Sequence, residues 1–307
     1  MTADRAAAQP VVAVVGPTGV GKSDLAIALA RHLDGEVVNA DSMQVYRGMD
    51  VGTAKLTPAE RGGVAHHLLD VWEVRAEASV AEYQRLARAA FADIRARGHR
   101  ALLVGGSGLY VRAALDRMEF PGTDAVVRAR LEAELAAVGP GALHERLADV
   151  DPAAAIAILP SNGRRIVRAL EVVEITGRPF TASLPPAAYE VDAVQVGLTL
   201  PRDEVDRRIE QRVDRMWAAG LVDEVRRLSG AGLAEGRTAS RALGYAQVLR
   251  HLSGEWSEEQ ARDETVRATR RFARRQESWF RRDGRVVWLD AADGHLVEAA
   301  ARVVDAA

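Results

Sequence analysis

Short apolar runs alternate along this chain with longer stretches in which apolar positions recur every three or four residues. Five runs read as buried strands: Val11–Val15, Glu36–Ala40, Ala101–Val104, Val194–Leu200 and Val286–Leu289. His67–Leu69 is a weaker sixth. Helical periodicity fills most of the intervals. Residues 22–33 place Leu25, Leu29 and Leu33 on one face, and 79–97 and 203–228 repeat the pattern. On 203–228, Val205, Ile209, Val213 and Met216 form a stripe that reads as core, with no chemistry attached. Uniformly apolar strands separated by amphipathic helices predict an α/β fold, a mostly parallel sheet with helices on both faces.

The alternation stops between Pro121 and Tyr189. Only helical patterns remain there, over 124–137, 142–148, 152–158 and 162–176, punctuated by Gly139-Pro140-Gly141, Pro160 and Pro185-Pro186. A helical block set between two sheet strands and bounded by helix breakers predicts an inserted subdomain. The expected organisation is a core of residues 10–120 and 190–307 with an all-helical insertion at 121–189.

Directly after the first strand come Gly16, Pro17, Thr18, Gly19, Val20, Gly21, Lys22 and Ser23. This fills every fixed position of the G-x-x-x-x-G-K-[ST] phosphate-binding loop, with a strand before it and a helix after it. Backbone N–H groups of such a loop curl around an anion. The helix N-terminus adds its dipole, Lys22 a mobile charge, and Ser23 a hydroxyl for a Mg²⁺ carried on linked phosphates. The core is therefore expected to resemble the phosphate-loop NTPases.

In such a sheet the strand carboxyl ends line one crevice. Strand 36–40 runs into Asp41-Ser42-Met43-Gln44-Val45-Tyr46, so Asp41 is expected to face the phosphates. Its carboxylate has three available roles: metal ligand, general base, or cap of the following turn. Strand 101–104 ends in Gly105-Gly106-Ser107-Gly108 where a nucleotide hydrolase would carry a Mg²⁺-binding acid. Ordinary nucleotide hydrolysis is thus disfavoured, while Ser107 can still donate to a phosphate. His66 and His67 are adjacent on a strand and point to opposite faces, so they cannot chelate one ion together.

Composition narrows the field. Among 307 residues there is no cysteine, which excludes disulfides, thiolate zinc sites and cysteine nucleophiles. No apolar stretch reaches membrane-spanning length and the N-terminus lacks a signal-peptide core, so a cytoplasmic protein without membrane contact is expected. The first nine residues read as a frayed tail. The net charge of −2 conceals eight arginines against two acids between Thr265 and Arg285. Arg267, Arg270, Arg271, Arg274 and Arg275 cover much of one helix surface, with Phe272, Trp279 and Phe280 interleaved. Such a helix either docks nucleic-acid backbone or pairs its arginines with acids elsewhere.

Taken in order, Gly16–Ser23, Asp41–Tyr46, Gly48–Lys55, His66–Asp70, Gly105–Tyr110 and Arg241–Tyr245 resemble the bacterial tRNA dimethylallyltransferases, also called tRNA isopentenyltransferases. The likeness runs from Val11 to Asp290. It implies transfer of a dimethylallyl group from dimethylallyl diphosphate to N6 of the adenosine 3′ of a tRNA anticodon, with release of pyrophosphate, by a monomer using Mg²⁺. It further implies that Gly16–Ser23 hold the diphosphate, with Ser23 on the metal. Asp41 would be the general base, with Lys22 and Ser107 also catalytic. The tRNA contacts implied are Asp41, Ser42, Met43 and Gln44, then Arg128, then Arg164, Arg165, Ile166, Val167 and Arg168. Arg241, Ala242, Leu243, Gly244, Tyr245 and Ala246 complete them, and the insertion would grip the anticodon stem-loop. Two positions depart from the family: Ser107 stands where Thr is common, and Ala246 where a basic residue is frequent. Two other classes share a phosphate loop, a kinase with a helical lid and a nucleotide-gated RNA-binding protein. A transferase acting on free AMP would share the chemistry without needing the insertion.

Overall fold

The computed structural model describes residues 9–180 and 184–307, so the tail expected at the N-terminus lies, except for Gln9, outside the described residues. Six strands form one parallel sheet: β1 (Val11–Val15), β2 (Gly35–Asn39), β3 (His66–His67), β4 (Arg100–Gly105), β5 (Ala193–Thr199) and β6 (Val286–Asp290). Their spatial order is β3-β2-β4-β1-β5-β6, and every pairing is parallel. β1 lies centrally because all five of its residues are apolar and buried, as a strand covered on both faces requires.

The pleat of β1 sorts its side chains between two cores. Val12 and Val14 join Leu25, Leu29, Val196, Leu198 and Ile209 on one face, while Val11, Ala13 and Val15 join Tyr83, Phe91, Ile94, Leu103 and Phe280 on the other. The covering helices include α1 (Lys22–His32), α2 (Val80–Ala96) and α3 (Gly108–Leu115), the last not anticipated from periodicity. The chain divides into two compact units: one runs through Asp116 and resumes at Ala187–Ala307, the other is Arg117–Pro186.

The second unit is all-helical: α4 (Ala125–Val150), α5 (Pro152–Ala157) and α6 (Gly163–Thr176). As the glycine–proline punctuation predicts, α4 is broken into two helical stretches at Gly139, whose φ of 78° and ψ of 169° leave the helical region just before Pro140. Leu131, Leu143, Leu147, Ile158, Ile166, Val167 and Leu170 make its core. Fully buried Glu171 accepts from Arg128 at 2.7 Å, Arg168 at 2.8 Å and the Asp124 amide at 3.0 Å. Burial by itself would raise the Glu171 pKa; the two guanidiniums outweigh it and hold it below the ordinary carboxylate value.

Returning to the first unit, the stretch read as one helix over 203–228 is two, α7 (Arg202–Ala218) and α8 (Leu221–Gly230), because Gly220 adopts a left-handed φ of 90° between them. Three further helices complete the chain: α9 (Tyr245–Leu252), α10 (Glu258–Phe280) and α11 (Leu296–Asp305). Among the described residues no helix is long and apolar enough to cross a membrane.

A third core cluster lies under Gly48–Lys55, where Glu224 of α8 organises the chain. Its carboxylate accepts from the backbone amides of Asp50 at 3.2 Å, Val51 at 2.9 Å and Gly52 at 3.1 Å, and from the Tyr245 hydroxyl. Burial, with Glu224 alongside, raises the Tyr245 pKa and keeps the phenol protonated as donor. Glu224→Gln replaces an acceptor oxygen with an N–H₂ facing another donor. We expect a loss of about 1.5–3 kcal/mol of stability, read as a lower urea midpoint; an unchanged midpoint would remove Glu224 from this role.

Candidate active site

The phosphate loop joins the carboxyl end of β1 to α1. Gly16, Gly19 and Gly21 take φ values of 136°, 87° and 94°, which side chains other than glycine rarely adopt. A Cβ on Gly16 would also stand 2.7 Å from the Leu198 carbonyl oxygen of β5. Gly21 is the N-cap of α1 and offers no side-chain cap, so the first-turn amides and the positive end of the helix open onto the cleft above. That cleft, of about 770 Å³, lies within the first unit. It is lined by Thr18, Gly19, Gly21, Lys22 and Ser23 of the loop, by Asp41 and Gln44 after β2, and by Gly105 and Gly106 after β4. Arg208, Arg212, Arg215 and Met216 from α7 and Phe272 and Gln276 from α10 complete the wall. Gly16, Pro17 and Val20 are buried beneath the loop, and their share in anion binding is confined to backbone.

Lys22 folds back so that its Nζ donates to the Pro17 carbonyl at 2.6 Å. It is half-buried as a residue. Dehydration of its ammonium, and then the neighbouring Arg212 guanidinium, pull its pKa down to about 7, against the opposing pull of the Asp41 carboxylate. Arg212 donates to Thr18 Oγ1 at 3.2 Å and to the Thr53 carbonyl at 3.1 Å, and burial lowers its pKa from the usual guanidinium value. Two cations therefore face the cleft while hydrogen-bonded only to neutral oxygens.

Of the roles open to Asp41, the cap is formed. Oδ1 accepts from the amides of Met43 at 2.8 Å and Gln44 at 3.4 Å, which is the capping arrangement. Oδ2 has no hydrogen-bond partner among the described residues. The Asp41 amide in turn donates to Asn39 Oδ1 at 3.0 Å, fixing the carboxylate at the strand end. Ser107 does not line the cleft; its Oγ donates to Ser42 Oγ and accepts from the Ser42 amide, each at 3.1 Å. Lys55, buried, holds Asp50 at 2.7 Å and Asp70 at 2.6 Å, and His67 bonds Glu36 at 2.6 Å.

Among the described residues no group of three or more His, Asp or Glu side chains is placed to chelate an ion. Mg²⁺ prefers one or two protein oxygens completed by water and substrate phosphates. Exposed Ser23, which lines the cleft, fits that demand.

The residues assigned to tRNA by resemblance divide sharply. Ile166 and Val167 are core residues of the helical unit. Ala242 and Tyr245 are core residues beneath Gly48–Lys55, and Gly244 is buried with them. Buried in this way, these residues leave mainly backbone atoms for any contact with RNA. Leu243 and Ala246 are half-buried. Arg128 and Arg168 are engaged by Glu171. Arg164, Arg165 and Arg241 are exposed. On α10 the pairing alternative holds for four arginines: Arg267 and Arg271 meet Glu264, Arg270 meets Glu210, and Arg274 meets Asp206 at 3.5 Å.

Arg212 and Gln276 escaped the sequence reading. The signal for Arg212 was present: positions 205, 209, 212 and 216 share one helix face, so an arginine stood within an apolar stripe.

Residues 44–283 match the family model for IPP transferase. The chain is 69% identical over 288 residues to a tRNA dimethylallyltransferase of Streptomyces avermitilis, covering 94% of this chain and 92% of that one. It is 68% identical over 298 residues to that of Salinispora tropica, covering 97% and 93%. The full-length tRNA isopentenylpyrophosphate transferase from Bacillus halodurans superposes with a TM-score of 0.71 at 40% identity, covering 97% of each chain. A eukaryotic dimethylallyltransferase described as acting on tRNA gives 0.82 at 26% identity, covering 97% of this chain and 78% of that one.

A polyanion is held best by the ammonium form of Lys22. The unliganded protein loses that proton as pH rises through about 7 and must regain it on binding. Pyrophosphate affinity should therefore weaken above that pH by up to about tenfold per unit relative to Lys22→Met, the ratio cancelling the titration of pyrophosphate itself. Calorimetry from about pH 6 to 9 measures this; a pH-independent ratio would detach Lys22 from the anion.

Proposed function

The chain belongs to the IPP transferase family, and from that membership and the cleft described we propose that it transfers a dimethylallyl group from dimethylallyl diphosphate to tRNA. The acceptor we propose is N6 of the adenosine 3′ of the anticodon. One observation carries the reading: a phosphate loop with two cations opens onto the same cleft as a carboxylate that keeps one oxygen unbonded. At the end of β4, where a nucleotide hydrolase would carry a metal-binding acid, Gly105 and Gly106 stand, which disfavours ordinary nucleotide hydrolysis.

In this reading the C1–O bond of the allylic diphosphate breaks and pyrophosphate leaves with the electron pair. The loop amides, Lys22 and Arg212 bear its growing charge. The N6–C1 bond forms as Asp41 Oδ2 accepts the N6 proton, which the amine, its lone pair shared with the ring, does not release readily. Ser107 acts through Ser42, steadying the chain next to Asp41. Mg²⁺, held by Ser23 and water, would offset further charge on the diphosphate. The adenosine must leave its stack to reach the cleft, and Phe272 and Arg215 offer an aromatic and a guanidinium plane at the wall. Arg164, Arg165 and Arg241 are proposed to meet tRNA phosphates, with the helical unit gripping the anticodon stem-loop. We place the reaction in the cytoplasm, carried out by a monomer.

Asp41→Asn keeps the Oδ1 acceptor that caps the turn and removes the base. Turnover should fall by about two to four orders of magnitude with tRNA affinity nearly unchanged, measured by transfer of labelled dimethylallyl to unmodified tRNA; near-normal turnover would unseat Asp41. For docking, Arg164→Ala/Arg241→Ala should reduce the slope of log affinity against log salt by about two, roughly one per phosphate contact. Filter binding across a salt series reads that slope, and wild-type steepness in the double variant would place the phosphates elsewhere.

A further inference from the structure

Gln276 lies on α10, the arginine-rich helix, yet it is only 6% exposed and faces inward. Its side-chain amide makes two hydrogen bonds to loops far away in sequence. Oε1 accepts from the Thr18 amide at 2.9 Å, and Nε2 donates to the Gly106 carbonyl at 2.9 Å. Both loops carry groups already placed at the reaction centre. We propose that Gln276 is a positioning residue for the transfer reaction, one amide that fixes the two peptide planes on which Lys22 and Ser107 depend. This inference rests on the function proposed above.

The geometry follows from the planar trans peptide, whose N–H and C=O point in opposite directions. In the peptide between Pro17 and Thr18, the N–H is held by Gln276 and the C=O accepts Lys22 Nζ at 2.6 Å. Gln276 and Lys22 therefore grip the two ends of one plane. In the peptide between Gly106 and Ser107, the C=O is held by Gln276 and the N–H points toward the Ala40 carbonyl at 3.4 Å, beside Asp41. That plane orients the Ser107 backbone from which Oγ meets Ser42. A Cβ on Gly106 would stand 2.2 Å from Gln276 Nε2, so the glycine there admits the amide.

The neutral amide supplies one acceptor and one donor across this gap. Glutamate keeps the bond to Thr18 but sets a carboxylate oxygen against the Gly106 carbonyl, and adds negative charge beside the diphosphate. Methionine keeps much of the volume and makes neither bond.

The test uses Gln276→Met and Gln276→Glu in the full chain, with three measurements: pyrophosphate binding by calorimetry, tRNA binding, and steady-state transfer of dimethylallyl to unmodified tRNA. We expect pyrophosphate affinity and kcat/KM for dimethylallyl diphosphate each to fall by about tenfold to a hundredfold, the usual cost of a lost supporting hydrogen bond at a site, with tRNA affinity within about twofold of wild type. A lower melting temperature with pyrophosphate affinity and kcat/KM unchanged would reduce Gln276 to packing and overturn the proposal. Should one variant fail to fold, the other carries the test, since each removes the bond to Gly106. Absence of transfer by the wild-type protein would instead refute the proposed function, while a loss of pyrophosphate affinity in the variants would still support Gln276 as the support of the phosphate loop.

Discussion

Two cations held together without a carboxylate of their own are the constraint that shapes this molecule. Lys22 and Arg212 repel each other, and burial penalises both; Asp41 is the acid whose charge opposes this for each. Such an arrangement is unfavourable in the empty protein and favourable once a polyanion enters. The fold must supply the restraint. The phosphate loop is pressed against β5 at Gly16, Lys22 is tethered to Pro17, and Arg212 is tethered to Thr18 and Thr53. Each tether ends on a neutral oxygen, which holds the cation in place without cancelling its charge.

The support for this cleft is itself built around two buried charges, Glu224 and Lys55. Glu224 gathers three backbone amides of the segment that ends in Thr53, whose carbonyl then meets Arg212. Lys55 fixes Asp50 and Asp70 around the same segment. A charge left alone in such surroundings would be costly, so these groups are saturated with partners. The contrast with Lys22 and Arg212 is physical: the supporting charges are satisfied within the chain, and the cleft charges are left to be satisfied by a ligand.

The arginines follow the same division. Those of α10 that face α7 are paired with Asp206 and Glu210, which ties the two helices together. In the helical unit, Arg128 and Arg168 are engaged by Glu171, and their hydrogen bonds keep the carboxylate ionised against the cost of its burial. Arg164 and Arg241 remain exposed. Counting arginines along a helix overstates the charge available to RNA, because acids from neighbouring elements have already claimed part of it.

Much of this was legible in the sequence. The five main strands, the phosphate loop and the helical insertion depend on local patterns: uninterrupted apolar runs, glycines at fixed spacing, and breakers at 139–141 and 185–186. Asp41 was placed correctly because strand ends in a parallel sheet converge on one edge. The break at Gly220 rests on its left-handed φ of 90°, a backbone property that periodicity does not contain, whereas the break at Gly139 was legible from the adjoining Pro140. Tertiary structure alone decided which polar side chains face one another. Ile166, Val167 and Tyr245 became core, Arg212 turned inward, and Gln276 crossed 258 positions of sequence to reach Thr18. Local pattern reports how a residue sits on its own helix or strand. Pairing energies depend on distance in space, and only the packed sheet sets those distances.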